Sequence, residues 1–311
     1  MLRIGIWFDE THCSYGGPTL VLLGAIIGLI QDANTRGLSI TILINEQGDV
    51  NWVVNKLRDH ENIIGYIRNP LIGPMVFGHE DALTKEPTKN IVWNTGHRFI
   101  TASEWFGKLV QLGLPFTSPR TLTVWPSGVD TEYYKPNKPN KPNKPNTPNI
   151  KNKKSQDYFI YFKSQKYEDL KFLHVFLFQN YFKFCGQTLT YYHYTPEMLR
   201  DASRKSRFCI FVSNTETQGL AALEILACDI PMFVLDCTAY TTAQFRFEGA
   251  TSVTCWDERC GMKSSLQTIK DDFPKFLTCL DTYKPREFVC SDYSFEAAGK
   301  RLHNLITGEH H

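Results

Sequence analysis

The chain has 311 residues, of which 42% are hydrophobic, and its formal net charge is +2. This length suits two compact domains of roughly 120–160 residues each. A net charge so near zero provides no overall field that would attract nucleic acid or an anionic membrane. The longest apolar run, Thr19–Ile30, is shorter than the ~20 residues that a membrane-spanning helix needs. The composition therefore favours a soluble protein with ordinary hydrophobic cores.

Nine cysteines are scattered through the chain without a Cys-x-x-Cys pair, and there is no Asn-x-Ser/Thr glycosylation site. Most of the cysteines stand in apolar stretches, which predicts buried, reduced thiols rather than disulfides or a metal site. The segment Met1–Phe8 becomes polar too soon for a signal peptide. We therefore expect a cytoplasmic protein, and we assign no role to His310 and His311.

Strands and helices alternate along the first half of the chain. The predicted strands and helices are Leu2–Phe8 (strand), Thr19–Ile30 (helix), Ser39–Asn45 (strand), Asn51–His60 (helix), Ile63–Ile67 (strand), Ile91–Trp93 (strand) and Ala102–Leu112 (helix). This alternation predicts an α/β fold with a doubly wound parallel sheet.

Four consecutive Lys-Pro-Asn triplets occupy residues 135–146, and a basic run follows at Lys151–Lys154. Proline at every third position blocks both helix and sheet, so the segment is expected to be extended and solvated. We interpret residues 135–154 as a linker or insert between a domain at 1–134 and a domain at 155–311. The last helix of the second domain is expected to pack back on the first.

The second half repeats the alternation. Its predicted strands are Tyr158–Phe162, Leu189–Tyr194, Arg207–Ser213 and Pro231–Leu235, and its predicted helices are Leu170–Tyr181, Glu197–Ser206, Gly219–Cys228, Phe273–Tyr283 and Ser294–Leu305. Two α/β domains predict a cleft between them, with ligands at the carboxyl ends of the strands.

The segment from Phe208 to Val234 is the most informative part of the sequence. A buried strand ends at Ser213, a loop carries Glu216, and Gly219 then opens a helix that contains Glu224. The free N–H groups of the first helical turn are a natural seat for a diphosphate, and a glycine allows a ligand to approach the backbone closely. On spacing alone, two surface glutamates on an ordinary strand–loop–helix unit explain this pattern equally well.

This segment resembles the donor-site signature of retaining family 4 glycosyltransferases, which have the GT-B fold of two Rossmann-like domains facing a central cleft. The matching positions are Glu216, Gly219, Leu220, Glu224, Ala227 and Pro231. Two further segments resemble the same family: Pro126–Pro136 is similar to its interdomain motif, and Gly16-Gly17-Pro18 to its N-terminal glycine loop. The repeats and the short first half also resemble glycosyltransferases encoded by giant DNA viruses, which implies a host cytoplasm.

The resemblance implies a role for each matching residue. Glu216 should contact hydroxyls of the donor sugar, and Glu224 should contact the ribose. The backbone amides of Gly219 and Leu220 should bind the diphosphate, with Gly16 and Gly17 on the opposite wall of the cleft. The family's Gly-Arg after the first strand of the second domain is missing here, so Lys163 and Lys166 are the candidates for neutralising the leaving group.

Three further candidates have weaker support. Tyr194 follows a strand near the expected base and is as well explained by packing as by stacking on a nucleotide. His79 and His97 stand beside glycines and are candidates for contacting the acceptor or the sugar, although an ordinary structural histidine explains each of them.

The implied reaction moves a sugar from a nucleoside-diphosphate sugar to a hydroxyl of a glycan, protein or lipid-linked acceptor, with retention and without a metal or other cofactor. The sequence contains no dinucleotide fingerprint, no phosphate-binding P-loop and no zinc-protease motif. No nucleic-acid partner and at most a peripheral contact with a membrane are expected. A GT-B epimerase or hydrolase, and a non-catalytic nucleotide-sugar-binding protein, remain alternatives.

Overall fold

The structure is a computed structural model, and it describes residues 2–7, 17–38, 40–45, 63–67, 99–113, 122–137, 154–164, 166–241 and 246–307. The chain forms two compact units. The first unit contains residues 1–130 together with 291–311, and the second contains residues 131–290. The C-terminal end of the chain is therefore part of the first unit.

The first unit contains a three-stranded parallel sheet in the order β1-β2-β3. Its elements in chain order are β1 (Leu2–Trp7), α1 (Gly17–Arg36), β2 (Ile40–Asn45), β3 (Ile63–Ile67), β4 (Phe99–Thr101), α2 (Glu104–Gly113) and β5 (Leu122–Val124). Strands β4 and β5 form a second parallel pair. Parallel strands with an intervening helix are the pattern that the alternation in the sequence predicts. The predicted elements at 51–60 and 91–93 lie outside the described residues.

The second unit contains a five-stranded parallel sheet in the order β12-β9-β8-β6-β7. The remaining elements of the chain are β6 (Gln156–Lys163), α3 (Tyr167–Tyr181), β7 (Gly186–Thr190), α4 (Pro196–Lys205), β8 (Ser206–Ser213), α5 (Leu220–Ala227), β9 (Met232–Leu235), β10 (Ala239–Thr241), β11 (Arg246–Glu248), β12 (Gly261–Ser264), α6 (Ile269–Thr278), α7 (Pro285–Asp292) and α8 (Phe295–Thr307). Strands β10 and β11 form an antiparallel hairpin.

An aromatic and aliphatic core fills one face of the five-stranded sheet. Side chains at alternate positions of β6, β8 and β9 meet those of α3 and α6. The fully buried members with aromatic rings include Phe162, Phe208, Phe233, Phe273 and Phe276. The intervening positions of the strands are also buried, so both faces of the sheet are covered, as is usual for parallel sheets.

Two predicted elements of the second unit have different bounds in the structure. The aromatic run at 189–194 predicts a strand, but β7 ends at Thr190 because the N–H of His193 closes a turn on the Thr190 carbonyl at 2.9 Å. The helix predicted at 273–283 begins earlier, at Ile269, although Pro274 then lies inside it. Ile269, Phe273 and Phe276 recur at helical spacing and are fully buried, and this packing outweighs the penalty of the proline.

The two ends of the Lys-Pro-Asn segment lie beside α4. Arg204 Nε donates to the Lys135 carbonyl at 2.7 Å, and Lys154 Nζ donates to the Arg204 carbonyl at 3.0 Å. Lys154 and Arg204, together with Lys205 and Cys228, line a cavity of about 240 Å³. The intervening residues 138–153 lie outside the described part of the chain.

Helices α1 and α8 of the first unit pack against each other at glycines. A Cβ atom added at Gly28 would come within 2.9 Å of the Gly299 Cα, and one added at Gly299 would collide with the carbonyl of Gly28. Beyond this contact, Asp32 Oδ2 lies 2.6 Å from His303 Nδ1, with both side chains buried. None of the helices in the described ranges is long and apolar enough to cross a membrane.

This close approach leads to a prediction. Gly299→Ala places a methyl group on the backbone of α1, and overpacking of this kind typically costs about 1–3 kcal/mol. We expect a lower free energy of unfolding in urea titrations, although alanine normally favours a helix over glycine. Lys300→Ala, an exposed neighbour on α8, is the control and should change stability little. A Gly299→Ala protein as stable as the wild type would contradict the packing.

Candidate functional site

The carboxyl ends of β6 and β8 lie side by side in the second unit. When its five parallel strands are numbered along the chain, their order in the sheet is 2-1-3-4-5. The connections from the first and third strands leave toward opposite faces of the sheet, so a crevice opens between these strands at their carboxyl ends. Lys163 ends β6 and is paired in register with Ser213, which ends β8.

Lys163 and Glu216 form an ion pair at this position. The Lys163 Nζ lies 2.9 Å from both carboxylate oxygens of Glu216. Glu216 is buried, and 24% of the Lys163 side chain is exposed. The structure thus brings together two residues that are 53 positions apart and that the sequence proposes separately.

Three neighbours fix this ion pair in place. The Ser213 hydroxyl donates to Glu216 Oε1 at 2.7 Å, and the Glu216 N–H donates to the Thr251 carbonyl at 2.9 Å. The ammonium of Lys163 lies 4.6 Å from the centre of the Tyr191 ring, which is a cation–π contact. Burial raises the pKa of Tyr191, although the positive charge of Lys163 opposes this shift.

Gly219 provides the turn between the Glu216 loop and helix α5. Its φ of 70° and ψ of 45° lie in the left-handed region, which other residues adopt only at a cost. The N–H groups of Ala222 and Leu223 both donate to the Gly219 carbonyl. Those of Leu220 and Ala221 have no hydrogen-bond acceptor among the described residues. Such free amides at a helix start, with the positive end of the helix dipole, suit an anion.

Glu224 lies one turn into α5 and is partly buried. Burial raises the pKa of its carboxyl group to about 7, and a hydrogen bond with the Tyr134 side chain opposes this shift. A carboxyl group with such a pKa changes charge near neutral pH, so its ability to accept hydrogen bonds from a ligand depends on pH.

Tyr194 packs against the strand that carries Lys163. Its hydroxyl lies 3.2 Å from the hydroxyl of the buried Tyr161, and the two rings meet edge to face. Burial raises the pKa of Tyr194, with further contributions from the negative charges of Glu224 and Glu216. The contacts of Tyr194 in the structure are therefore a hydrogen bond and a ring contact with Tyr161.

The remaining predicted residues are placed as follows. Lys166 is exposed and precedes α3, and its N–H donates to the Ser164 hydroxyl at 3.1 Å. Gly17 is the first residue of α1 in the first unit. Gly16, His79 and His97 lie outside the described residues. Within the described ranges, no group of three or more histidine, cysteine, aspartate or glutamate side chains has an arrangement suited to a metal ion.

The turn after α5 keeps the geometry that a glycine would give. Asp229 has a φ of 62°, and its N–H donates to the Leu226 carbonyl at 2.9 Å. Aspartate is among the few residues that tolerate this conformation. Asp229 therefore provides the turn that leads from α5 to β9.

Sequence reasoning missed three residues that contact the ion pair: Ser213, Tyr191 and Thr251. Ser213 and Tyr191 come at or just after the carboxyl ends of β8 and β7. Their position at strand ends could have identified them as candidates, because the carboxyl ends of parallel strands meet at one edge of a sheet. Thr251 lies far along the chain in a loop without a motif, and only the fold brings its carbonyl to Glu216.

No protein-family model matches the chain, and no curated protein matches it. Several solved structures do match the chain. Sucrose-phosphate synthase from Thermosynechococcus elongatus has a TM-score of 0.52 at 12% identity, with 99% of each chain covered. The lipopolysaccharide outer core galactosyltransferase WaaB in its apo form has a TM-score of 0.55 at 12% identity, with 99% of this chain and 100% of that chain covered.

A third similar structure is Anabaena HepE in complex with UDP, with a TM-score of 0.55, 9% identity and coverage of 99% of this chain and 100% of that one. Identities this low carry information about the fold alone. The three similar structures have the GT-B architecture. The α/β chain described here therefore has the GT-B fold, as the sequence predicts.

Proposed function

We propose that the protein transfers a sugar from a nucleoside-diphosphate sugar to an acceptor hydroxyl, with retention of anomeric configuration, as in family 4 glycosyltransferases. The observation that carries this proposal is the Lys163–Glu216 ion pair at the strand switch point, next to the open N-terminus of α5. A cation and free backbone amides can bind the oxygens of a diphosphate, and a carboxylate beside them can accept hydrogen bonds from sugar hydroxyls. The GT-B fold of glycosyltransferases that include a UDP complex supports the same reading.

In the proposed reaction the bond between the anomeric carbon and the diphosphate breaks. Negative charge grows on the leaving diphosphate while the sugar becomes oxocarbenium-like, so positive groups fixed in advance are the main catalytic contribution. Lys163, Lys166 and the amides of Leu220 and Ala221 take this role. Lysine supplies the charge without the two-pronged geometry that arginine would give.

The ion pair limits how Lys163 acts. An ammonium group has three donors, so Lys163 can hold Glu216 and still donate to a phosphate oxygen. Because Glu216 already neutralises Lys163 in the unliganded protein, much of the charge that attracts the diphosphate must come from Lys166 and the start of α5. Glu216, held by Ser213 and Lys163, would accept hydrogen bonds from donor-sugar hydroxyls.

Retention follows, in this proposal, from a front-face route. An oxygen of the leaving diphosphate takes the proton of the acceptor hydroxyl as that hydroxyl attacks the anomeric carbon. This route uses no dedicated protein base and no metal. Glu224 would hold the ribose, and Tyr194 would contact the base. Gly16 and Gly17 would also bind the donor, whereas His79 and His97 would contact the acceptor or the sugar. A glycan, protein or lipid-linked acceptor in the cytoplasm completes the proposal.

Substitution of the ion pair tests the assignment. We expect Glu216→Ala and Lys163→Ala each to reduce turnover by a factor of about 10² or more, because each removes a contact that stabilises the transition state. Initial rates with UDP-, GDP- and dTDP-sugars measure this. Lys171→Ala, an exposed lysine on α3, is the matched control and should keep wild-type rates. Wild-type turnover in both ion-pair variants would overturn the assignment.

The same assays separate the alternative functions. Sugar or epimer released without an acceptor would favour an epimerase or hydrolase. Binding without any product would favour a non-catalytic nucleotide-sugar-binding protein. Thermal shift detects binding independently of turnover, since a ligand at 100 times its Kd adds about 2.7 kcal/mol of stability. It also detects variants that are destabilised by the loss of one partner of the ion pair.

Ribose binding by Glu224 predicts a dependence of donor affinity on pH. With a pKa of about 7 in the free protein, Glu224 is mostly protonated at pH 6 and ionised at pH 8. The ionised form can accept hydrogen bonds from two ribose hydroxyls. The affinity for the donor should therefore rise about tenfold from pH 6 to pH 8. Calorimetry with an intact nucleotide sugar measures this, because its diphosphate does not change charge in that range. Glu224→Gln should bind more weakly with little dependence on pH, and an unchanged dependence would contradict the role.

A further inference from the structure

We infer that Asp236 is a positioning residue that fixes Glu216 in its site through the segment 251–254. This inference rests on the proposed function of Glu216 as the residue that contacts the donor sugar. Asp236 directly follows β9 and lies outside the residues that any motif in the sequence indicates. Its N–H donates to the Ser264 carbonyl at 2.9 Å, so its backbone is fixed to the end of β12.

The carboxylate of Asp236 holds the segment 251–254 from one side. Its Oδ1 accepts from the Thr251 hydroxyl at 2.8 Å and from the Ser252 N–H at 2.7 Å. Its Oδ2 lies 3.1 Å from Lys263 Nζ, and that ammonium also donates to the Thr251 hydroxyl at 2.8 Å. Both oxygens of Asp236 are thus occupied within the protein, which favours a supporting role over direct contact with a ligand.

The segment 251–254 in turn holds the loop of Glu216. The Thr251 carbonyl accepts the Glu216 N–H at 2.9 Å, and the Ser252 hydroxyl donates to the Ser213 carbonyl at 2.9 Å. The Thr254 hydroxyl donates to the Gln218 carbonyl at 2.8 Å. Three contacts, from Thr251, Ser252 and Thr254, therefore attach the segment to both sides of Glu216, close to the turn at Gly219.

The two sets of contacts form a continuous connection from Asp236 to Glu216. The segment is not part of the five-stranded sheet. The side chains of Asp236 and Lys263 tie it to the ends of β9 and β12, and the Ser252 hydroxyl adds a bond from the Cys237 N–H at 3.1 Å. When Asp236 loses its carboxylate, the N–H of Ser252 loses its acceptor and the ammonium of Lys263 loses its anionic partner. The segment should then loosen, and the loop of Glu216 with it. Catalytic geometry is sensitive to displacements of about 1 Å.

Hydrogen exchange tests this connection without reference to activity. In Asp236→Ala, amide exchange measured by mass spectrometry should be about tenfold faster or more in peptides covering 213–219, with α3 unchanged. Thr251→Val is a milder variant for the case in which Asp236→Ala does not fold, and Asp271→Ala, at an exposed position on α6, is the control. Unchanged exchange at 213–219 in both test variants would overturn the inference.

Kinetics then test whether the effect acts through Glu216. We expect Asp236→Ala to lower kcat by about tenfold or more, with partial rescue in Asp236→Asn, whose amide oxygen still accepts from Thr251 and Ser252. In a Glu216→Ala background the same substitution should change kcat less than about twofold, because the residue it positions is already gone. Equal losses in both backgrounds would contradict positioning through Glu216. A wild type without transferase activity would instead defeat the proposed function, while the exchange result would still test the connection.

Discussion

The ion pair between Lys163 and Glu216 is the interaction on which the candidate site depends. It joins the end of one central strand to the loop that follows its neighbour, and it therefore exists only if β6 and β8 are adjacent and in register. Replacing a partly buried ion pair with apolar side chains is often neutral or stabilising, because desolvation offsets most of the Coulomb attraction. Stability alone is thus a poor explanation for this pair, and a role toward a polar ligand is a better one.

The surroundings of the pair serve to keep it in one geometry. Ser213 and Thr251 hold Glu216 by its side chain and by its backbone, and the ring of Tyr191 lies beside the ammonium of Lys163. A carboxylate held this way does not need to reorganise when it binds a ligand, which is what the proposed reaction requires. The turn at Gly219 has a left-handed backbone, which glycine adopts without a steric penalty. This turn lets the chain pass from the Glu216 loop directly into α5.

The sequence predicted the elements with strong local patterns and missed contacts made across the fold. Alternating buried runs located β6, β8 and β9 to within two residues, and the Glu216–Glu224 spacing located the loop and the helix of the site. Strand β12 has no buried run, since its positions are only partly buried, and it escaped prediction. Asp236 and Lys263 escaped for a related reason: each is ordinary in its own segment, and only the pairing of β9 with β12 brings them together.

A fold shared at about a tenth sequence identity has a physical explanation in the same residues. Core positions such as Phe208, Phe233 and Phe273 must be apolar and of suitable volume, and many combinations of side chains meet that requirement. Backbone requirements are stricter, and they fall at particular turns such as those at Gly219 and Asp229, which both have a left-handed backbone. Because most positions are restricted only in polarity and volume, sequence similarity fades while the fold persists. The residues that a search by sequence would need are then those at strand ends, where chemistry rather than packing limits the choice.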